Sequence, residues 1–262
     1  MSAFADKVVV ITGAAGGIGS ALVHQFGSRG AKIAALDVRD AVNTLAERLA
    51  AEGVAIAPAV ADIADADQVM AAVDGFRKVL GPIDILVNNA GFSSRTTIEK
   101  TTPETWHHDV TGNLNGAFNC THAVLPDMKA AGTGIIVNVA SVNGLSALGD
   151  PAYSAAKAGM INFTQSLAAE YGRYGIRANV ICPGTVRTPI WDERREKNPA
   201  VFTELASWYP LGRIVEPDEV AKVVVFLASD DASAITGAVL PVDCGLTAGN
   251  IVMTRNLTVE EM

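Results

Sequence analysis

Short apolar runs alternate along this chain with longer stretches of helical period. The runs at 7–12, 32–37, 54–62, 83–89, 134–141, 176–184 and 237–243 are apolar at most positions rather than at every second one. That pattern marks strands covered on both faces, as in a parallel sheet. Between them, residues 18–29, 65–80, 152–174 and 217–228 space their apolar side chains as helices do. Strand and helix alternating in this way predict an α/β fold, a doubly wound parallel sheet with right-handed crossovers and helices on both faces. No repeat, low-complexity tract or linker divides the 262 residues, so 1–262 is read as a single domain.

Composition narrows the partners. With 49% hydrophobic residues the chain can bury a large core. Lys and Arg number 20 against 28 Asp and Glu, a net charge of −8 without any basic tract, which argues against nucleic acid or an anionic membrane as partner. The apolar run near the amino terminus is too short for a signal peptide or a membrane span. Cys120, Cys182 and Cys244 are far apart and form neither a CxxC nor a metal-ligand spacing. They read as reduced, buried small hydrophobes, with no metal site and a cytoplasmic home.

The first strand runs directly into TGAAGGIG at 12–19. Gly13, Gly17 and Gly19 let the backbone turn sharply and approach a pyrophosphate, whose charge would face the positive end of the helix opening near Ile18. No Gly-Lys-Ser/Thr follows, which disfavours a nucleotide-hydrolysing P-loop. Asp37 closes the second strand 18 residues beyond Gly19, where a carboxylate accepts hydrogen bonds from an adenosine ribose. It could equally cap the next helix, a place that Asp40 can also fill.

A second feature is the stretch DPAYSAAKAG at 150–159. Tyr153 and Lys157 stand four apart among small residues, so a helix puts both on one face. An ordinary helix surface would explain the pair. So would chemistry: a phenol has a pKa near ~10, and making it a base near neutrality by lowering it ~2 to 3 units takes about 3 to 4 kcal/mol. A cation about 4 Å away supplies ~1 kcal/mol in water and ~4 kcal/mol at an effective dielectric near ~20, so Lys157 suffices only in an enclosed site. Ser141, at a strand end, can hold a substrate oxygen or simply form a turn, and Asn113 can be a plain helix residue or a kink former.

The order TGAAGGIG, NNAG (88–91), NLNG (113–116), SVNG (from 141), YSAAK (153–157), PGTVRTP (183–189) and ITGAVLPVDCG (235–245) resembles the short-chain dehydrogenase/reductase family over residues 7–249. The resemblance implies a Rossmann-like sheet of seven parallel strands, a nicotinamide cofactor and a catalytic set of Asn113, Ser141, Tyr153 and Lys157. It also implies that Lys157 binds the nicotinamide ribose and that Asn113 holds a water for proton relay. Asp62 and Ile63 would lie on the adenine side, and Asn89, Ala90 and Gly91 on the ribose side. Pro183, Gly184, Val186 and Thr188 would hold the nicotinamide carboxamide and phosphates, with Thr188 also able to cap the helix that Pro189 begins. A homotetramer is implied, packed through helices around 103–131 and 152–174.

Two departures stand out. Cys244 occupies a place where the family often has glycine, and the tail at 250–262 runs past the usual end, either frayed, simply packed, or folded over a neighbouring subunit. The resulting expectation is an NAD-dependent alcohol or polyol dehydrogenase acting reversibly on a small secondary alcohol. A 3-oxoacyl reductase using NADP is the rival, given Arg39 beside Asp37, and a nucleotide sensor without catalysis is a reading from another class. Selectivity belongs to the loops at 92–97, 142–150 and 189–211, and Asn143 joins Ser141 and Tyr153 as a substrate-binding residue. The stretch 189–213 reads as a substrate lid in which Trp191, Phe202, Leu205, Trp208 and Tyr209 close on the pocket. Arg194, Arg195 and Lys197 would pair with Asp192, Glu193 and Glu196 along its helix, which favours an uncharged substrate.

Overall fold

The computed structural model describes residues 4–94 and 96–258. Seven strands form one all-parallel sheet: β1 (Val8–Thr12), β2 (Lys32–Asp37), β3 (Ile56–Val60), β4 (Ile85–Asn88), β5 (Gly134–Val139), β6 (Ile176–Pro183) and β7 (Val239–Val242), in the order β3-β2-β1-β4-β5-β6-β7. The helices are α1 (Gly17–Gly27), α2 (Ala41–Ala51), α3 (Ala66–Leu80), α4 (Pro103–Val110), α5 (Gly116–Ala131), α6 (Pro151–Tyr171), α7 (Asp192–Lys197), α8 (Val201–Ala206), α9 (Pro217–Leu227) and α10 (Ile251–Thr258).

Alternate residues of the central strands feed two separate cores. Val9 and Ile11 of β1 pack with Leu22 and Phe26 of α1, Val42 and Leu49 of α2, and Val220 and Val224 of α9. Val8 and Val10 face the other way, onto Val69, Val73 and Phe76 of α3, Val124 and Met128 of α5, and Leu167 of α6. The sheet is thus doubly wound, and the apolar runs of β1, β2, β4, β5 and β6 have their cause in this two-sided burial. The outer strands depart from that pattern. Val60 at the end of β3 and Leu240 of β7 are exposed, because each strand lies at a sheet edge. Pro58 and Pro241 sit in these two strands, and a residue without an N–H is tolerated there because an edge strand pairs on one side only.

Two other segments differ from the expectation. The helix expected around 103–131 is interrupted by a π-helical turn, Thr111–Asn115, between α4 and α5. The described part of the tail is helical, with Met253 and Leu257 exposed on α10, and the rest of that segment lies outside the described residues. No helix among the described residues is long and apolar enough to cross a membrane.

Strand order reverses between β1 and β4, which opens the crevice where open α/β sheets take their ligands. Cys244 lies just past β7 and holds a left-handed backbone, φ 51°, which disfavours any residue with a Cβ. Cys244→Gly should relieve about 1 kcal/mol of this strain, offset in part by the freer unfolded chain, and so raise Tm by about 1–2 °C in a thermal melt. A lower Tm would mean that packing of the thiol outweighs the strain.

Candidate active site

The carboxyl ends of the strands bring the sequence-predicted residues to one edge. Gly13 turns the chain out of β1 with φ 63°, and Gly17, Ile18 and Gly19 form the first turn of α1. Thr12 ties this loop to the one after β4: its hydroxyl accepts the N–H groups of Asn89 (3.0 Å) and Ala90 (2.9 Å), and the Asn89 amide donates to the Thr12 carbonyl (2.9 Å). Thr188 packs its side chain over Gly17, where a Cβ would meet it at 2.6 Å, so the base of the 189–213 segment rests on the glycine loop. Thr188 takes the cap position before Pro189, but its side chain makes no capping hydrogen bond.

Asp37, at the end of β2, is buried and accepts from Ala15 N–H (2.9 Å), Arg39 N–H (3.0 Å) and Arg39 Nε (3.1 Å). It does not cap α2, where Asp40 holds the cap position. Asp62 turns the chain after β3 by accepting from Ala64 N–H, whereas the Ile63 side chain is buried beneath Gly116 of α5. Pro183 ends β6 and Gly184 donates its N–H to the Val242 carbonyl. Val186 is buried and bridges to Val215, which closes the base of the 189–213 segment. A groove of about 510 Å³ opens between Asp62 and α4, lined in part by Phe92, His107 and Thr111. It lies on the Asp62 side of the crevice, and Ser141, Tyr153 and Lys157 do not line it.

The β5 and α6 side carries the reactive groups. Ser141 follows β5 in an extended conformation and caps the short turn Val142–Gly144. Its hydroxyl accepts Asn143 N–H at 3.2 Å, so the turn-forming reading holds alongside any chemical one. The Asn143 amide donates to the Gly149 carbonyl and to Ser154, fastening the 142–150 loop to the first turn of α6. That helix starts from Asp150 at φ 49°, another left-handed non-glycine residue three positions before Tyr153. Four residues on, the Lys157 ammonium lies 5.5 Å from the centre of the Tyr153 ring. Burial pushes the Tyr153 phenol above its ordinary value, opposed by a hydrogen bond with Ser141. Lys157 is 2% exposed, and burial brings its ammonium down to about 8.

Asn113 falls within the π turn and is fully buried. Its amide donates to the carbonyls of Phe92 and Asp109, both at 2.8 Å, while among the described residues its Oδ1 has no partner. Lys157 spends one N–H on the Val139 carbonyl at 3.0 Å. Gly91 is where these two groups meet: a Cβ there would sit 2.7 Å from Asn113 Oδ1 and 3.1 Å from Lys157 Nζ. An orphaned acceptor and a desolvated ammonium around a residue with no side chain form a cradle for polar ligand atoms. The donor set suits a dinucleotide: a glycine loop at a helix start, a carboxylate at the end of β2, and an ammonium and an amide beyond β4 and β5. Among the described residues no group of three His, Cys, Asp or Glu could hold a metal ion.

In the 189–213 segment, Trp191 contacts Phe202 with ring centres 5.9 Å apart, and Trp208 is exposed. Tyr209 is buried, and its hydroxyl accepts Thr185 N–H at 2.8 Å, which makes it part of the base and not of a moving flap. Arg195 pairs with Asp192, Lys197 with Glu193, and Arg194 stacks on Trp191. Asp109 was not singled out in the sequence, and Phe92 and Ser94 only as members of the 92–97 loop. The available signal was helical spacing, because Asp109 stands four residues before Asn113 and so shares its face.

A parallel sheet whose switch point gathers these groups defines a dinucleotide-binding oxidoreductase. Residues 13–247 match the family described as enoyl-(acyl carrier protein) reductase. The chain is 45% identical over 252 residues to an uncharacterised oxidoreductase of Schizosaccharomyces pombe, covering 96% of this chain and 95% of that one. A solved oxidoreductase of the short chain dehydrogenase/reductase family from Burkholderia thailandensis is 49% identical, with a TM-score of 0.92 over 97% of this chain and 98% of that one. A gluconate 5-dehydrogenase from Burkholderia cenocepacia, solved with NADP and tartrate, is 36% identical with a TM-score of 0.88 over 94% and 97% of the two chains. The chain belongs to the short-chain dehydrogenase/reductase family, whose members are oxidoreductases that use a nicotinamide cofactor.

Burial of Lys157 has a cost that depends on pH. Its folded value of about 8 lies below the ordinary 10.5, so the cost is full below pH 8 and is lost as pH rises toward 10.5. In the cofactor-free protein, Lys157→Met should therefore raise Tm at pH 7, by about 2–4 °C for each kcal/mol relieved, and the gain should shrink by pH 10. A Tm difference that stays constant with pH would contradict the buried ammonium.

Proposed function

We propose that the protein is an NAD-dependent dehydrogenase of a small, uncharged secondary alcohol or polyol, running reversibly with the corresponding ketone. The observation that carries this reading is the buried Lys157 ammonium, which lies 5.5 Å from the centre of the Tyr153 ring and borders, with Asn113 Oδ1, the space left at Gly91. In oxidation, Ser141 orients the substrate oxygen and Tyr153, as phenolate, takes the hydroxyl proton. Burial alone works against the phenolate. The Lys157 ammonium has to oppose it, and a low-dielectric setting is where one cation is worth ~4 kcal/mol at about 4 Å instead of ~1. Asn113 Oδ1 and the remaining N–H groups of Lys157 hold a water that returns the proton to solvent. A bound nicotinamide cofactor would supply the hydride acceptor for oxidation and the hydride donor for reduction. Gly13, Gly17, Ile18 and Gly19 would cradle its pyrophosphate, Asp37 its adenosine ribose and Lys157 its nicotinamide ribose. Asp62 and Ile63 would flank its adenine, Asn89, Ala90 and Gly91 its ribose side, and Pro183, Gly184, Val186 and Thr188 its carboxamide and phosphates.

NAD is favoured because the buried Asp37 carboxylate would face a 2′-phosphate with like charge. Arg39 carries the second reading, a 3-oxoacyl reductase using NADP. It is paired with Asp37 yet exposed, and could turn to a phosphate. An uncharged substrate is favoured because Arg194, Arg195 and Lys197 are engaged with Trp191, Asp192 and Glu193. We further propose that the enzyme is a homotetramer of the cytoplasm, where thiols such as buried Cys120 and Cys182 stay reduced.

The test is a panel of D-sorbitol, 2,3-butanediol, gluconate and acetoacetyl-CoA with both cofactors, followed by absorbance at the reduced nicotinamide band. Turnover of a neutral diol or polyol with NAD is expected, and exclusive use of acetoacetyl-CoA with NADPH would replace this reading by the second. Tyr153→Phe should lower turnover by roughly 10²-fold or more while NADH affinity, read by fluorescence titration, stays the same. Near-native turnover would remove Tyr153 from the chemistry. Asp37→Ser should narrow the preference for NAD in kcat/KM by about 10-fold or more, and an unchanged ratio would deny Asp37 its part in cofactor choice.

A further inference from the structure

Asp109 is the one buried residue of α4, 2% exposed, and it is a carboxylate. A buried carboxylate is costly unless hydrogen-bonded, so its partners reveal its task. Both oxygens turn to the loop after β4. Ser94 donates its hydroxyl to Oδ1 at 2.6 Å and its backbone N–H to Oδ2 at 3.1 Å, and His108 Nδ1 lies 3.7 Å from Oδ1. The same turn of helix grips the loop at a second point, where the Asn113 amide donates to the Phe92 carbonyl and to the carbonyl of Asp109 itself. Between these two points the Phe92 ring packs against Gly112, where a Cβ would come within 2.2 Å of it, and rests against His108 with ring centres 4.4 Å apart.

The loop has no secondary structure of its own at 91–94, and it begins at Gly91, the meeting point of Asn113 and Lys157. We propose that Asp109 is a positioning residue: with Ser94 it bolts the 92–94 loop, part of the segment to which selectivity was assigned, to the π turn, fixing at once that loop and the orientation of the Asn113 amide. The inference rests on the active-site reading above, in which Asn113 serves the reaction. It assigns the Ser94 hydroxyl to Asp109 and away from the substrate, so loss of either partner loosens substrate placement without altering cofactor contacts.

The experiment compares Ser94→Ala, Asp109→Leu and Asp109→Asn with the native enzyme, using the panel compound that the native enzyme turns over fastest. Ser94→Ala and Asp109→Leu should each raise KM or lower kcat enough to cut kcat/KM by about 10-fold or more, with NADH affinity within about 2-fold of native. Combining them should cost little more than one alone, since both remove the same contact. Asp109→Asn keeps an acceptor for Ser94 and should recover most of the loss. Deuterium uptake by the Ser94 amide should rise in Asp109→Leu, a change that a general loss of stability would spread over the whole chain. Should Asp109→Leu fail to fold, Ser94→Ala carries the same test. Folded variants with kcat/KM within about 2-fold of native would overturn the positioning role. Tyr153→Phe, run beside them, separates the two failures: if it also keeps native turnover, or if no panel compound is turned over, the active-site reading itself falls and this inference with it.

Discussion

The Lys157 ammonium is held out of water with, among the described residues, one backbone carbonyl as hydrogen-bond partner, and the rest of the site is arranged around that constraint. A charge buried so sparingly destabilises the fold, which is why its pKa falls to about 8. The same enclosure strengthens its field at Tyr153, 5.5 Å away at the ring centre. Exposure to water would relieve the cost and abolish the effect. Small residues make the enclosure possible: Ala156 of α6 is buried beside it, and Gly91 leaves open the space that Asn113 Oδ1 and Lys157 Nζ border. Stability is thereby traded for a poised polar cradle, the pattern expected where function and local stability compete.

The sheet makes that cradle rigid. Because every strand is parallel, the ends of β1, β2, β4, β5 and β6 deliver Thr12, Asp37, Asn89, Ser141 and Pro183 to a single edge. Two cores, one on each face, hold those ends in register. Thr12 joins the loops across the switch point by its hydrogen bonds to Asn89 and Ala90, and Asn143 fastens the loop after β5 to Ser154 of α6. The segment beyond Thr188 stands apart from this rigid set. Its short helices α7 and α8 bury none of their residues, while the buried Tyr209 anchors its base through Thr185 N–H.

Much of this was legible in the sequence, and for a definite reason. A central parallel strand is covered on both faces, so its apolar run is continuous and easily seen, as in 7–12 or 134–141. The exposure of Val60 and Leu240 was not visible, since an edge position depends on strand order and leaves a composition much like that of the interior. Tyr153 and Lys157 were readable because one helical turn separates them. The π turn at Thr111–Asn115 was hidden, because one inserted residue in the hydrogen-bond ladder leaves no compositional trace. Asp109 was missed for a related reason: its partner Ser94 lies 15 residues away in a loop, and only the fold joins them. Likewise the pairing of Arg39 with Asp37 turns on rotamers that spacing does not determine.

The account rests on a buried ammonium that a bound nicotinamide cofactor completes. Its most direct test is a pH titration of the lysine ε-carbons by NMR, with the Lys157 signal assigned by its disappearance in a variant. The account predicts one lysine titrating near 8, well below the ordinary 10.5, and shifting when NAD is added. A Lys157 signal that titrates with the ordinary surface lysines and ignores NAD would contradict it.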